Sequence, residues 1–415
     1  MHHRHHRLWP LALGTFAIGF GSNVITGLLP SMSADLGVTL ADVGRLLSFY
    51  GIAYAVSTPL VALFGERLPR RALMLTALAL FAAACVATAL ASDYATLSVL
   101  RALSAIAAGG FTPTATVLAA GLATPERRGR ALATVFGGLT TAAVVAAPAG
   151  NILGPAIGYR GVYLITAALA AIAFLAVLLL VARPASRADT APVLATPGLH
   201  GGTDPVDPGR PSDEGPRRRG AAGPRRRGLP SPLVVLVLLV STVETVAAFT
   251  VQTYASPLLT AISSADGLSL SALLLGYGIA GVLGNVAGGR MADRLGAART
   301  LWLCFAGCTA ALALLPLVGS TLLGAGAVFA VWGFLAWASN APLQGMLIQL
   351  AGRFEQLIVA LNSSVIALGT AAGAIIGGAI IAGGPVIGLA WWGAAIMGVA
   401  LVLVSVLVRS RRLTA

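Results

Sequence analysis

The chain has 415 residues, 57% of them hydrophobic and only 10% charged, with a mean hydropathy of +0.88. A soluble chain carries about 25% charged residues, so the composition excludes an ordinary water-soluble domain and points to a membrane. The net charge of +13 is no nucleic-acid footprint, because its arginines stand in short clusters between apolar runs, where the positive-inside rule puts them.

All 27 basic residues are arginine. That excludes a P-loop and Schiff-base chemistry, each of which needs a lysine. No nucleophile–base pair and no cluster of metal ligands is evident, so neither an enzyme nor a cofactor is expected. Cys85, Cys304 and Cys308 all lie inside apolar runs and read as small packing residues.

The chain opens Met1-His2-His3-Arg4-His5-His6-Arg7. A His-rich tract can hold metal, but a solvated basic tail that keeps the N-terminus inside is the preferred reading. The apolar run from Leu8 to Pro30 is too long for a signal-peptide core and has no small-residue cleavage site after it, so it reads as a retained first span.

Crossing a bilayer takes about 20 apolar residues. Spans are therefore expected near 8–30, 43–64, 72–91, 95–121, 131–155 and 161–182. A second set follows near 233–257, 271–291, 298–318, 322–345, 357–382 and 386–408. The expected fold is an all-α membrane protein with twelve transmembrane helices in two six-helix bundles, residues 1–183 and 231–415.

Residues 184–230 join the halves and are rich in Pro, Gly, Asp and Arg, with triplets at Arg217-Arg218-Arg219 and Arg225-Arg226-Arg227. Nearly devoid of large apolar side chains, this stretch is expected to be a disordered cytoplasmic linker, and its arginines suit contact with anionic lipid. With both termini inside, 24 of the 27 arginines fall on the cytoplasmic side; Arg45, Arg101 and Arg160 do not. That predicts a multi-pass protein of the inner (cytoplasmic) membrane.

The two halves repeat one another. Tyr50-Gly51-Ile52-Ala53 recurs at Tyr277, and Glu66-Arg67-Leu68 recurs as Asp293-Arg294-Leu295, both 227 residues later. The same offset carries Pro30 onto Pro257 and Gly150 onto Gly377. Parallel repeats in so apolar a chain are a plan of secondary transporters.

Two charges lie deep in apolar runs. Arg101 is eight residues past Asp93, about 12 Å along span 4. Glu244 is midway through span 7. Ionisable groups inside a bilayer are costly and usually functional. A carboxylate that alternates between apolar surroundings and a cationic partner can take up and release a proton.

Small residues recur at i+4 on span 5, at Gly138, Ala142, Ala146, Gly150 and Gly154, and on span 11, at Gly369, Gly373 and Gly377. Such stripes let helix backbones approach closely in lipid. Pro148 removes a backbone donor and is expected to bend span 5.

The chain resembles the major facilitator superfamily, and within it the twelve-helix bacterial drug:proton antiporters. The loop after span 2, Gly65-Glu66-Arg67-Leu68-Pro69-Arg70-Arg71, is similar to the family signature, and Gly289-Arg290-Met291-Ala292-Asp293-Arg294-Leu295-Gly296 is closer to it. The resemblance implies a cytoplasmic gate of Glu66, Arg67, Arg70, Arg71, Asp293 and Arg294. Glu66 would meet the start of span 11 and Asp293 the start of span 5, near Ala131, closing the inner side. The stripe around Pro148 is similar to the family's antiporter signature. Arg101 matches the family's arginine of span 4, assigned to proton coupling or cavity electrostatics.

The resemblance further implies a cavity lined by spans 1, 4, 7 and 10. Phe16, Phe20, Asn23 and Thr26 share a face of span 1, and Trp337, Asn340 and Gln344 a face of span 10. An apolar wall with a few polar handles suits an uncharged amphipathic solute. Spans 4 and 7 would both face this cavity, so Arg101 and Glu244 are expected to approach in at least one state.

The residues Tyr254-Ala255-Ser256-Pro257-Leu258-Leu259, with Asn362 and Gly369, are similar to exporters of chloramphenicol-like drugs, sugars and nucleosides. The expected function is export of a small amphipathic solute in exchange for protons, by a monomer whose partners are that solute, protons and lipid. A proton-coupled importer or a passive facilitator of the same fold is the alternative.

Overall fold

The computed structural model describes residues 8–64, 69–123, 128–181, 232–351 and 355–413. The N-terminal tail, Glu66, Arg67 and the linker of residues 184–230 lie outside the described residues.

Within a bilayer the backbone must satisfy its own hydrogen bonds, and a helix does so within one segment. The described residues accordingly form fourteen α-helices. The first half holds α1 (Trp9–Asn23), α2 (Ile25–Leu36), α3 (Leu40–Phe64), α4 (Arg70–Leu90), α5 (Tyr94–Leu122) and α6 (Arg128–Leu180). The second holds α7 (Pro232–Gln252), α8 (Ala255–Ser263), α9 (Gly267–Leu295), α10 (Ala297–Val318), α11 (Leu322–Ala338), α12 (Asn340–Ala351), α13 (Glu355–Gly383) and α14 (Gly388–Leu413).

These helices map onto the twelve expected spans. α1 and α2 meet at a 45° bend and together make span 1. α7 with α8 makes span 7, and α11 with α12 makes span 10. Helix α6 covers spans 5 and 6. Its 53 residues would reach about 80 Å if straight, far more than the bilayer's apolar core of about 30 Å. The chain turns at Gly158, whose φ of 66° and ψ of 169° a side-chain-bearing residue would resist. Pro148 lies within helical dihedrals, and the departure from the helix falls at Gly158.

The repeat reappears in the element bounds. Shifted by 227, α3 would cover 267–291, and α9 begins at Gly267; α4 would cover 297–317, and α10 spans Ala297–Val318. The turn at Gly158 maps onto residue 385, between α13 and α14. Local chemistry sets the ends. The Asp93 side chain accepts from the Thr96 backbone N–H at the start of α5. That N–H and the Thr96 hydroxyl hold the Asp93 carboxyl below the usual range. Thr321 caps α11 in the same way, Asp266 and Ser269 form a capping box on α9, and Gly37 ends α2 in the left-handed region.

The small-residue stripes seat helix on helix within each half. A Cβ on Gly138 would lie 2.0 Å from the Ala12 carbonyl oxygen, and one on Gly150 would lie 2.5 Å from that of Val24. A Cβ on Gly154 would crowd Ser31 and Leu28. Ala142 and Ala146 are fully buried in the same seam. In the second half Gly369 packs on Thr245, Gly373 on the Val246 carbonyl and Phe249, and Gly377 on Thr250 and Tyr254. Span 5 thus closes on span 1, and span 11 on span 7, as repeat-related pairs.

Candidate solute cavity and its charged residues

We call the face carrying residues 37–39, 91–93 and 264–266 the distal face, and the face opposite it the terminal face. Between the halves lies a cavity of about 230 Å³. Span 1 contributes Ile18, Ser22 and Asn23; span 2 contributes Leu47, Tyr50, Gly51 and Tyr54. Arg101 and Thr112 come from span 4, Leu139 from span 5 and Phe249 from span 7, while span 11 adds Ser363, Ile366, Ala367 and Thr370.

Of the expected cavity residues, Asn23 lines this space; its amide donates to the Gly19 carbonyl at 2.8 Å. Phe16 and Phe20 pack on one another at 6.0 Å, with Phe20 buried. Thr26 is buried, and its carbonyl accepts from Ser256 across the halves. Trp337 packs against Gly281 of α9, while Asn340 and Gln344 are exposed on α12. The cavity walls are spans 2 and 11 where span 10 was expected. Tyr50 and Tyr54 stack at 6.3 Å on one face of span 2. Residues 363, 366, 367 and 370 share a face of span 11, a spacing that was there to be read.

Arg101 is 3% exposed. Its Nη1 donates to the Gly21 carbonyl at 2.9 Å and to the Tyr163 hydroxyl at 3.4 Å, and its Nη2 to the Ser22 carbonyl at 3.3 Å. Its guanidinium stands 4.8 Å from the centre of the Tyr50 ring. Arg101 therefore braces span 1 just before the bend between α1 and α2.

Glu244 is half-buried on α7, with Tyr277, Cys304 and Cys308 as titratable neighbours. Its Oε2 lies 3.3 Å from the Thr245 hydroxyl. That hydroxyl donates its one proton to the Ser241 carbonyl at 2.7 Å. Glu244 and Arg101 are not paired in this conformation, whereas Arg45 pairs with Asp42 at 2.6 Å.

Of the residues expected at the gate, Glu66 and Arg67 lie outside the described residues. Asp293 and Arg294 are exposed near the end of α9, and Asp293 makes no hydrogen bond or ion pair among the described residues. Arg71 donates to the Leu178 carbonyl in the last turn of α6, a favoured place for a cation. Arg70 stands beside it in the first turn of α4.

The halves join towards the distal face. Asn151 donates to the Gly267 carbonyl at 2.9 Å and to Ser271 at 2.8 Å, and Ser48 donates to the Ala371 carbonyl at 2.9 Å. The fully buried Tyr254 donates to the Ala374 carbonyl at 2.9 Å and fits against Gly44 of the other half, where a Cβ would come within 1.9 Å of its oxygen. Asn362 is buried and accepts from Ser241, tying span 11 to span 7. No group of three or more His, Cys, Asp or Glu able to hold a metal occurs among the described residues.

Comparison with known proteins agrees with this architecture. The chain is 30% identical over 372 residues to the inner membrane transport protein YdhP of Escherichia coli K12, covering 89% of this chain and 87% of the relative. It is 29% identical over 374 residues to a chloramphenicol resistance protein of Streptomyces lividans, with the same coverage. A crystal structure of a bacterial homologue of the human lysosomal transporter Spinster, in an inward-facing and occupied conformation, superposes with a TM-score of 0.74. That match covers 97% of this chain and 96% of the other at 16% identity, and shows the shared fold. The model of the Major Facilitator Superfamily matches residues 11–356. With two six-helix halves around a central cavity, this multi-pass membrane chain belongs to that superfamily, a family of transporters.

Proposed function

We propose that this protein exports a small amphipathic solute across the inner membrane in exchange for protons. The observation that carries the reading is the central cavity: an apolar wall from Ile18, Leu47, Leu139, Phe249 and Ile366, set with the polar groups of Asn23, Tyr50, Ser363 and Thr370. The similarity to a chloramphenicol resistance protein supports export. The arginine bias supports cytoplasmic termini, with the distal face outward. The distal joints then support an inward-facing state of an alternating-access cycle.

Proton coupling is assigned to Glu244, a carboxyl placed midway along span 7. Arg101 is assigned to the cavity's electrostatics and the bracing of span 1. Pairing of Glu244 with Arg101 requires the halves to rearrange, since each has its own partners here. Residues 184–230 are assigned as a tether between the halves.

The test is export of a compound panel that includes chloramphenicol, from cells with and without the gene and with and without a proton uncoupler. Gene-dependent, uncoupler-sensitive export is expected. Export that persists unchanged with the uncoupler would remove the antiport assignment, and accumulation in place of export would reverse the direction.

A further inference from the structure

Arg101 presents a charge that nothing around it balances. Its acceptors, the Gly21 and Ser22 carbonyls and the Tyr163 hydroxyl, are all neutral, and its Nε, buried, has no hydrogen-bond partner. The face of Tyr50 gives it an electron-rich but uncharged neighbour. The cavity it lines contains no aspartate or glutamate. The other deep charge, Glu244, is absent from that lining, and no ion pair joins it to Arg101. A buried cation without a counter-charge is a costly arrangement in a membrane, and an incoming anion would relieve it.

We propose that the cavity takes small amphipathic anions, an aromatic or aliphatic body bearing a carboxylate or comparable negative head, with the head placed at Arg101. The apolar side chains Leu139, Phe249 and Ile366 hold the body, and Tyr54 and Thr370 add hydroxyls to the same lining. The proposal rests on the cavity being the solute site and narrows its substrate class, against the uncharged solute expected from the sequence. Attraction to the head is charge-assisted, and so stronger than a hydrogen bond from a neutral donor.

Three probes with one skeleton and three charges test it: 1-naphthoate, 1-naphthamide and 1-naphthylmethylammonium. Binding is measured on purified full-length protein in nanodiscs of zwitterionic lipid, with radiolabelled 1-naphthoate and the other two as competitors. In the wild type the carboxylate should bind about ten-fold tighter than the amide, with the ammonium weakest. Arg101→Gln should bring carboxylate and amide to equal Kd, while Arg101→Lys should keep the carboxylate ahead. If Arg101→Gln does not fold, the wild-type ranking and Arg101→Lys decide. An amide that binds as tightly as the carboxylate, or a charge preference that survives in Arg101→Gln, overturns the proposal and leaves the export reading standing. No saturable binding of any probe overturns the proposal together with the cavity as the solute site, whereas loss of gene-dependent export with an intact charge ranking removes only the export reading.

Discussion

At the scale of single residues, the two deep charges separate by task. Glu244 stands on α7 with Thr245 beside it, while Arg101 is held to span 1 by two carbonyls. Glu244→Gln keeps the size of the side chain and removes the exchangeable proton. Uphill efflux from proteoliposomes driven by a pH gradient should be abolished, while downhill exchange of the same solute stays within about two-fold of wild type, because binding energy that does not depend on the proton is retained. Uphill pumping at the normal rate would place the proton elsewhere. Tyr254 supplies a second residue-scale test. Its oxygen occupies the space a Cβ would take at Gly44. Gly44→Leu should stop the distal joint from closing and raise labelling of a cysteine placed in the distal mouth. Adding Tyr254→Ala should restore closure, and a double variant as reactive as the single one would show that this contact is not the obstacle.

At the scale of elements, the small-residue stripes decide which helices touch. Span 5 rests on span 1 through Gly138, Gly150 and Gly154, and span 11 rests on span 7 through Gly369, Gly373 and Gly377. The neighbours are largely backbone oxygens, which cannot swing aside as a side-chain tip can. Gly150→Leu and Gly373→Leu should therefore each destabilise their seam by about 1–3 kcal/mol or more, the usual range for overpacking. Lower melting temperatures and lost transport are the expected readouts. Wild-type melting in both variants would sink the close-packing account. The capped starts of α5, α9 and α11 are independent of these seams, since they rest on local side-chain hydrogen bonds.

At the scale of the whole molecule, the alternating-access proposal calls for two gates that act in opposite directions. The distal joint is visible in Asn151, Ser256 and Tyr254. On the terminal face Asp293 is exposed near the end of α9. If it engages the other half only when that face closes, Asp293→Asn and Glu66→Gln should each shift the population toward the terminal-open state. Labelling of cysteines at the terminal mouth should rise and at the distal mouth fall, the reverse of Gly44→Leu. Unchanged labelling at both mouths in both variants would remove the gate assignment. A shift of this kind follows from a contact made in one state and absent in the other.

Much of the fold was legible in the chain itself. Hydropathy marked the spans, the offset of 227 marked two equivalent halves, and the bounds of α9 and α10 follow those of α3 and α4 at that offset. Caps such as Asp93 and Thr321 were local and therefore readable. The cavity was legible only in part. Asn23 and Arg101 line the cavity, and Tyr50, Tyr54, Ser363 and Thr370 of spans 2 and 11 stand in its wall, where the resemblance implied span 10. The physical reason is that a spanning helix is apolar toward lipid and toward its neighbours alike: Leu323 is 86% exposed and Leu312 fully buried, with nothing in the residue type to tell them apart. Which face turns inward is decided by packing across the fold, through the close approach of Gly51 to Ala367 and of Tyr254 to Gly44. The sequence by itself determined the twelve spans, their repeat and the two deep charges. Only the tertiary structure decided that those charges keep separate partners, because partner choice depends on helix rotation and tilt, which no single span encodes.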